Sequence, residues 1–396
     1  DTLALGLLLN AARTVTVNSA HNLTISGAIG ETGGPQSLTK TGSGELTLNG
    51  ANTYSGKTSL TGGRAYFNSI SNVGAVASAL GAPQTAANGV IDVNVRISYT
   101  GGATTSDRVF NFISGYQFDQ AGSGALTLTG GLTGLNVTPT FRGNGTFIIS
   151  GPVALGAGGV TRTDGGTLVL SNPTNGFTGN VTINDGTISV DTFADAGLPS
   201  PIGAGTAISI GQPNGTTGRL RYTGTNDVSC NRAITVVAQP KNTNGGIIES
   251  ATAGKTLTLS GNVGVDLWTN TPTLQLAGAG NGVLSGVLSG GMRVTMNGSG
   301  VWALAGANTY TGATTVSSGT LQVNGSTAVT SAVTVASGAA LGGTGTVYGA
   351  VSLSAGGRLA PGAGGVGTLT LANAGASALT FNGSAVTCEV SAVSGV

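Results

Sequence analysis

The sequence predicts an all-β protein, a right-handed parallel β-helix (β-solenoid) that runs through residues 1–396. Three observations predict this fold: a long internal repeat, many short segments in which apolar residues alternate, and turns rich in glycine. Repetition indicates stacked structural units, and period-two alternation indicates strands with one buried face. We therefore expect coaxially stacked coils, roughly 16 to 20 of them at about 4.8 Å per strand layer.

The repeat is clearest in the peptide GANTYSG at Gly50–Gly56, which reappears as GANTYTG at Gly306–Gly312. A looser third copy lies at Gly165–Val190. A second pair aligns RISYTGGATTSDRVF, from Arg96, with RLRYTGTNDVSCNRAI, from Arg219. We interpret the chain as a single continuous solenoid of about three long modules. Their predicted bounds are 1–37 (partial), 38–159, 160–293 and 294–396 (partial).

The strands follow from pairs of apolar residues separated by one position, as in Leu46 and Leu48 or Leu257 and Leu259. Threonine and serine fill most intervening positions, where a β-branched side chain suits extended backbone. Glycine with Asn, Asp or Ser occupies the turns, which need positive φ angles. Because aromatic residues make up only 5% of the chain, we expect a narrow interior lined by small aliphatic side chains.

Two residue types recur at fixed places in the repeated peptide. Asn52 and Asn308 occupy one of them, and an amide there can hydrogen-bond the turn backbone or form a ladder along the stack. Tyr54 and Tyr310 occupy the other and are expected to pack against the next coil, while the third copy carries Phe177. These positions predict structural roles.

Arginines also recur at matched positions of the second repeated pair. Arg108 follows Asp107, and Arg232 follows Asn231. A ladder of arginines on one side of the solenoid would place them for catalysis on a polysaccharide. Because active sites seldom occur in duplicate, the repetition favours a structural ion pair or a lock on the turn.

Composition excludes several classes of protein. Charged residues are 7% of the chain, the formal net charge is +1 and the hydrophobic fraction is 39%, which is not a disordered profile. No basic stripe exists that would bind nucleic acid. No apolar run approaches 18 residues, so we predict no membrane-spanning helix, and we interpret the apolar segment Leu3–Asn10 as a strand.

Candidate chemistry is sparse, and we expect neither an enzyme nor a cofactor. His21 is the sole histidine, so the chain cannot assemble a multi-histidine metal site or a Ser-His-Asp arrangement without a partner. The GxGxxG pattern at Gly362–Gly367 leads into a strand instead of a helix that could bind pyrophosphate. Asp185, Asp191 and Asp195 could ligate Ca²⁺, but turn-forming roles are favoured, and we predict no metal site.

The two cysteines, Cys230 and Cys388, are far apart in the sequence. In a stack of coils this separation places them several layers apart, beyond the Cα spacing that a disulfide tolerates. Two buried thiols are the favoured interpretation, and an intermolecular disulfide is the alternative.

At the level of whole segments the chain resembles a known family. GSGELTLNGANTYSGKTSLTGG and GSGVWALAGANTYTGATTVSSGTLQVN resemble the autotransporter-associated β-strand repeat of bacterial surface and secreted proteins. Ser337–Leu371, with LGGTGTV and LAPG before a GTL strand, is similar to the end of such passengers. The resemblance implies export to the cell surface and a parallel β-helix, and it implies no chemistry. The residues shown lack the amphipathic barrel that completes the autotransporter pattern.

These observations favour an extracellular structural protein at a bacterial surface: a rigid stalk, an adhesin with a glycan or cell-surface receptor, or a fibre subunit. The segments Leu3–Leu9 and Val386–Val396 are strand-like without evident caps, so the sequence predicts continuation of the chain or end-to-end stacking into a filament. The alternative is a carbohydrate-active β-helix, a lyase or hydrolase, which requires an outward cluster of Arg and Asp from adjacent coils. A glycan-binding surface would expose aromatic side chains, for which the candidates are Tyr66, Phe67, Tyr116, Phe118 and Trp268.

Overall fold

The computed structural model describes residues 1–211, 216–237, 245–266, 271–373 and 377–383. The strands in these ranges pair in parallel with strands about one coil further along the chain, as Leu23 pairs with Leu46 and Ile97 with Phe118. They stack as a β-solenoid of about 16 turns with almost no helix. The predicted fold class, a parallel β-solenoid, is confirmed.

The strands are short because each covers one side of a coil before a turn. Those that begin before residue 191 are Thr2–Leu3, Leu7–Leu9, Arg13–Thr16, Asn22–Ile25, Ile29–Glu31, Leu38–Thr41, Glu45–Leu48, Thr58–Leu60, Arg64–Phe67, Ile91–Val93, Arg96–Tyr99, Thr104–Ser106, Phe110–Phe112, Gln117–Gln120, Leu126–Leu128, Leu132–Gly134, Thr140–Arg142, Thr146–Ile149, Val153–Ala154, Val160–Arg162, Thr167–Leu170, Val181–Ile183 and Gly186–Val190.

The strands of the remaining chain include two long ones that turn a corner without interruption, Arg293–Leu304 and Thr314–Val323. The others are Ala207–Ile210, Gly218–Tyr222, Val228–Cys230, Ala233–Val236, Gly246–Ser250, Thr256–Leu259, Val263–Val265, Thr273–Ala277, Asn281–Leu284, Val333–Val335, Ala340–Gly343, Thr346–Val347, Val351–Ser354, Arg358–Pro361, Thr370–Leu371 and Leu379–Asn382.

The chain divides into two compact units. The first consists of Asp1–Thr182, Gly186–Val190 and Gly197–Gly205. The second consists of Ile183–Asp185, Asp191–Ala196 and Thr206–Val396.

The core of the first unit contains a stack of aromatic rings. Phe118 lies at its centre, with ring centroids 4.9 Å from Phe110 and 4.8 Å from Phe147. The expectation of a narrow interior with only small aliphatic side chains is therefore wrong for this unit. The few aromatic residues are concentrated on the inner faces of consecutive coils, where stacked layers bring ring onto ring. The rings of the stack are Phe67, Tyr99, Phe110, Phe112, Phe118, Phe141 and Phe147.

The core of the second unit is mainly aliphatic, and its largest buried ring is Trp302, which is completely buried. Its indole N–H donates to the Ala277 carbonyl at 3.2 Å. Gly282 is the strand partner of Trp302 on the preceding coil, and a Cβ at Gly282 would lie 2.2 Å from the ring. Glycine at this position therefore makes room for the indole.

An excursion of the first unit, residues 68–90, leaves the stack after Arg64–Phe67 and returns through the one helix of the described chain, Ala86–Gly89. The Thr85 hydroxyl caps this helix by accepting the Asn88 N–H at 3.3 Å. A second excursion follows Gly186–Val190. Because excursions leave the stack between strands, they add surface without changing the pairing of the coils.

Candidate functional site

The repeated asparagine bonds to the backbone of the coil before it and to backbone that follows it in the chain. Asn52 is completely buried; its Oδ1 accepts the Ile29 N–H at 2.8 Å, and its Nδ2 donates to the Ala79 carbonyl at 2.7 Å. Ile29 lies one coil earlier and Ala79 follows in the next part of the chain. The amide therefore satisfies one buried donor and one buried acceptor at a turn that strand pairing leaves unpaired.

The same arrangement recurs in the other two copies, at Asn175 and Asn308, which are 1% and 3% exposed. Asn175 was not singled out from the sequence, although its place two residues before Phe177 was the available signal. The bonds are Val153 N–H to Asn175 Oδ1 (2.8 Å), Asn175 Nδ2 to the Pro201 carbonyl (3.0 Å), Leu288 N–H to Asn308 Oδ1 (2.9 Å), and Asn308 Nδ2 to the Gly306 (2.9 Å) and Ser326 (3.0 Å) carbonyls.

The repeated tyrosine is buried together with a threonine four residues later. The Tyr54 and Thr58 hydroxyls lie 2.8 Å apart, and those of Tyr310 and Thr314 lie 2.7 Å apart. Burial raises the pKa of Tyr54 to about 12, although the Thr58 hydrogen bond and the Arg108 charge act in the opposite direction. The third copy has lost both hydroxyls together, because Phe177 and Val181 occupy the two positions.

The third copy replaces the polar pair by an apolar pair, so we expect the two hydroxyls to be energetically coupled in a double-mutant cycle. Tyr54→Phe alone and Thr58→Val alone should each lower the free energy of unfolding by about 1 kcal/mol, since each leaves a buried hydroxyl with fewer partners. The double variant should cost less than the sum of the single variants. Urea unfolding of the four proteins measures this coupling. If the double variant costs as much as the two single variants together, the two hydroxyls do not act as a pair.

Polar side chains also lock the glycine-rich corners from inside the solenoid. At each of five corners, a buried side chain at the end of a strand donates to a main-chain carbonyl three or four residues later; we call this arrangement a corner clasp. The clasps are Lys40 Nζ to Gly44 O (2.9 Å), Tyr99 OH to Gly102 O (2.6 Å), Gln120 Nε2 to Gly124 O, Arg162 Nε to Gly166 O (3.1 Å) and Tyr222 OH to Asn226 O.

Sequence reasoning missed the clasps, although a signal exists. A long polar side chain stands at an inward strand position directly before a corner such as KTGSG (from Lys40), QAGSG (from Gln120) or RTDGG (from Arg162). The ammonium of Lys40 also donates to Gly62 on the next coil, so this clasp reaches beyond its own corner. A buried cation with several carbonyl partners is satisfied without a carboxylate.

The predicted repeat arginines, Arg108 and Arg232, lie inside their units and are 0% and 1% exposed. Arg108, in the first unit, donates to the Gly89 carbonyl at 2.9 Å and the Leu80 carbonyl at 2.6 Å. Arg232, in the second unit, donates to the Ala194 carbonyl at 3.3 Å. Burial lowers the pKa of both guanidinium groups, to about 10 for Arg108. Both arginines therefore fix the backbone of an excursion.

The residue before each arginine also bonds to the excursion. It is an aspartate in the first copy and an asparagine in the second, and its partner on the excursion is an asparagine in the first copy and an aspartate in the second. In the first unit, Asp107 accepts the Val73 N–H at 2.8 Å and the Asn72 side chain accepts the Asp107 N–H at 3.1 Å. In the second unit the roles are reversed, with bonds of Ala196 N–H to Asn231 Oδ1 (2.7 Å) and of Asn231 N–H to Asp195 Oδ1 (2.9 Å).

Asp195 thus has a turn-forming role. Within the described ranges, no group of three or more His, Cys, Asp or Glu side chains is placed to hold a metal ion. Over the same residues, no helix has both the length and the apolar character needed to cross a lipid bilayer.

Two of the five aromatic candidates for an exposed surface are buried. Phe67 and Phe118 belong to the buried stack, and Tyr116 is 40% exposed. The Arg64 guanidinium lies over the ring of Tyr66, 4.5 Å from the ring centroid. Trp268 lies outside the described residues.

Cys230 is a buried free thiol whose pKa is raised by burial. Cys388 lies outside the described residues, so the intermolecular disulfide stays a prediction. A bond from Cys230 to another molecule would require its thiol to become exposed.

Clusters of arginine and carboxylate from adjacent coils do occur on the outside, as the carbohydrate-active alternative requires. In the first unit Arg64 and Arg96 both contact Asp119 Oδ2 at 2.7 Å. The Asp119 side chain is only 6% exposed, so its carboxylate is committed to the arginines. This arrangement orders the surface. The two guanidinium groups are more accessible to a ligand than the Asp119 carboxylate is.

A parallel solenoid with three copies of one asparagine-anchored turn defines a repeat-built protein of the β-solenoid class. A model of the passenger-associated-transport-repeat matches residues 38–64, 160–190 and 294–323, which contain Asn52, Asn175 and Asn308. The chain is an autotransporter passenger-like protein with these repeats.

A curated relative agrees with this assignment. The chain is 31% identical over 303 residues to the BmaC autotransporter adhesin of Brucella suis biovar 1 (strain 1330). The aligned part covers 74% of this chain and 7% of that protein, so the chain spans a small part of its relative's length. No solved structure matches the chain.

Proposed function

We propose that this chain is an extracellular structural segment of a bacterial surface adhesin, which presents its outer faces to glycans or receptors of another cell. The observation that carries the proposal is the buried asparagine turn in three copies. In each copy the amide bonds to the backbone of the coil before it, and coils joined in this way form a stiff scaffold. The similarity to a protein described as an adhesin supports the location and the role.

A display experiment tests this function. The chain is expressed on the surface of a non-adherent bacterial strain, and attachment of the cells to cultured epithelial cells is counted. A solenoid passenger of similar length from a non-adherent protein serves as the control. We expect several-fold more attached cells with this chain, and attachment equal to the control would contradict an adhesive role.

The finer roles are separate proposals. A fusion of the chain to a known binding domain distinguishes a stalk from an adhesin. A stalk without a binding surface would increase attachment only in the fusion, whereas an adhesin would increase attachment without it. Self-association into a fibre stays a prediction from the sequence, and sedimentation velocity over a hundredfold range of concentration tests it.

A further inference from the structure

A pair of neighbouring arginines projects from the second unit beside one carboxylate. Alternation along the strand Gly218–Tyr222 buries Leu220 and Tyr222 and turns Arg219 and Arg221 outward. Glu249, on the next coil, lies 2.5 Å from Arg219 Nη1 and 3.4 Å from Arg221 Nε. The arginine side chains are 38% and 46% exposed and the glutamate is 12% exposed. The carboxylate therefore holds two accessible guanidinium groups side by side.

The strand neighbours of this cluster on the two coils that follow carry no charge to balance it. Ile247 pairs with Arg219, and on the following coil Gln275 pairs with Ile247 and Ala277 with Glu249. Two arginines and one glutamate leave a local formal charge of +1. Each guanidinium has five N–H donors, and Glu249 engages only the nearest of them.

The first unit contains the same arrangement in a neutralised form. Arg96 corresponds to Arg219 in the repeated pair of segments, and Asp119 corresponds to Glu249, because Asp119 pairs with Ser98 as Glu249 pairs with Arg221. There, Arg64 is the second arginine, and Glu45 pairs with it in the sheet register. Further along the same face an Arg142–Asp164 ion pair follows, at 3.1 Å. Arginines and acids are equal in number on this face, so it serves as an internal control.

We propose that Arg219 and Arg221 form a binding site for the carboxylate or sulfate groups of an acidic polysaccharide. The planar guanidinium binds such oxyanions through two parallel N–H···O bonds, and two neighbouring guanidinium groups can bind one group or two successive groups of a chain. A single pair of arginines is too few for nucleic acid, which binds through many phosphate contacts. The site rests on the proposed adhesive function and specifies the chemistry of its ligand.

Binding of the purified chain to defined polysaccharides tests the proposal. Heparin carries sulfate and carboxylate groups, polygalacturonate carries carboxylates only, and dextran is the neutral control. In low salt we expect binding to heparin, to polygalacturonate or to both, no binding to dextran, and a loss of affinity as salt is raised. Equal binding to dextran would overturn the proposal.

Three variants assign the binding to the site. Arg221→Ala should weaken binding about tenfold, the loss expected for one charge-assisted bidentate contact. Arg96→Ala, the matched control, should change it less than about twofold, because its face is neutral and Arg64 still holds Asp119. Glu249→Gln keeps an acceptor for the arginines but raises the local charge, so it should strengthen binding.

The Glu249→Gln variant separates a binding role from a merely structural one. If the arginines only stabilise the fold, this variant lowers thermal stability without improved binding, and the proposal fails. Circular dichroism and thermal melts confirm that each variant is folded. If no acidic polysaccharide binds while displayed cells still attach to epithelial cells, the site is wrong and the adhesive function stands. If neither occurs, both are wrong.

Discussion

Replacing Phe118 by alanine is expected to lower the free energy of unfolding of the first unit by about 3–5 kcal/mol, the range for truncating a fully buried aromatic side chain. Phe118 has its ring centroid within 6.5 Å of five other rings, so few neighbours can collapse into the cavity without breaking further ring contacts. Urea unfolding followed by far-ultraviolet circular dichroism measures the change.

Phe118→Leu is the conservative control and should cost less, because most of the buried volume remains. Hydrogen exchange should show the largest loss of protection in coils that contain the ring stack, since each coil contacts mainly its neighbours. A cost below about 1 kcal/mol for Phe118→Ala would contradict the tightly packed aromatic core.

Asn308→Ala is expected to destabilise the second unit by about 2–4 kcal/mol. The change leaves the buried Leu288 N–H without its acceptor, which costs about 1–3 kcal/mol. It also removes one hydrogen bond to each of the Gly306 and Ser326 carbonyls, which keep the Ser326 and Asn308 main-chain N–H donors, and each lost bond costs about 0.5–1.5 kcal/mol. Thermal unfolding and urea titration give the loss.

Asn297→Ala is the matched control in the same unit, because Asn297 lies exposed on a strand and should change stability by less than about 0.5 kcal/mol. Asn308→Asp tests the donor alone: it keeps an acceptor for Leu288 but places a carboxylate against two carbonyls. We expect it to be at least as damaging at pH 7 as alanine. A harmless Asn308→Asp would show that the donor bonds contribute nothing.

The local pattern in the sequence predicts the coils well. Alternation such as Leu46 and Leu48, with glycine at the corners, requires only that one face be buried, and the repetition identified Asn52 and Asn308 as structural positions. These features depend on neighbours within a few residues or on the same place in another copy, so a single chain displays them.

Features that depend on the length of each coil could not be predicted in the same way. Phe67 and Phe118 were candidates for an exposed surface, yet the register brings both into one interior stack. The approach of Arg219 and Arg221 to Glu249 likewise depends on how many residues the intervening corners use. Excursions such as residues 68–90 break any constant period, so spacing in the sequence does not give vertical position.

The corner clasps have a consequence for how such a protein can change over generations. At Tyr99 and Gln120, the side chain that closes a corner belongs to the segment that forms it. A stretch of genetic sequence that encodes one coil therefore carries its own fastening, and it can be duplicated or lost with little need for compensating mutations elsewhere. Lineages can then lengthen or shorten the passenger in steps of one coil and leave the remaining layers intact.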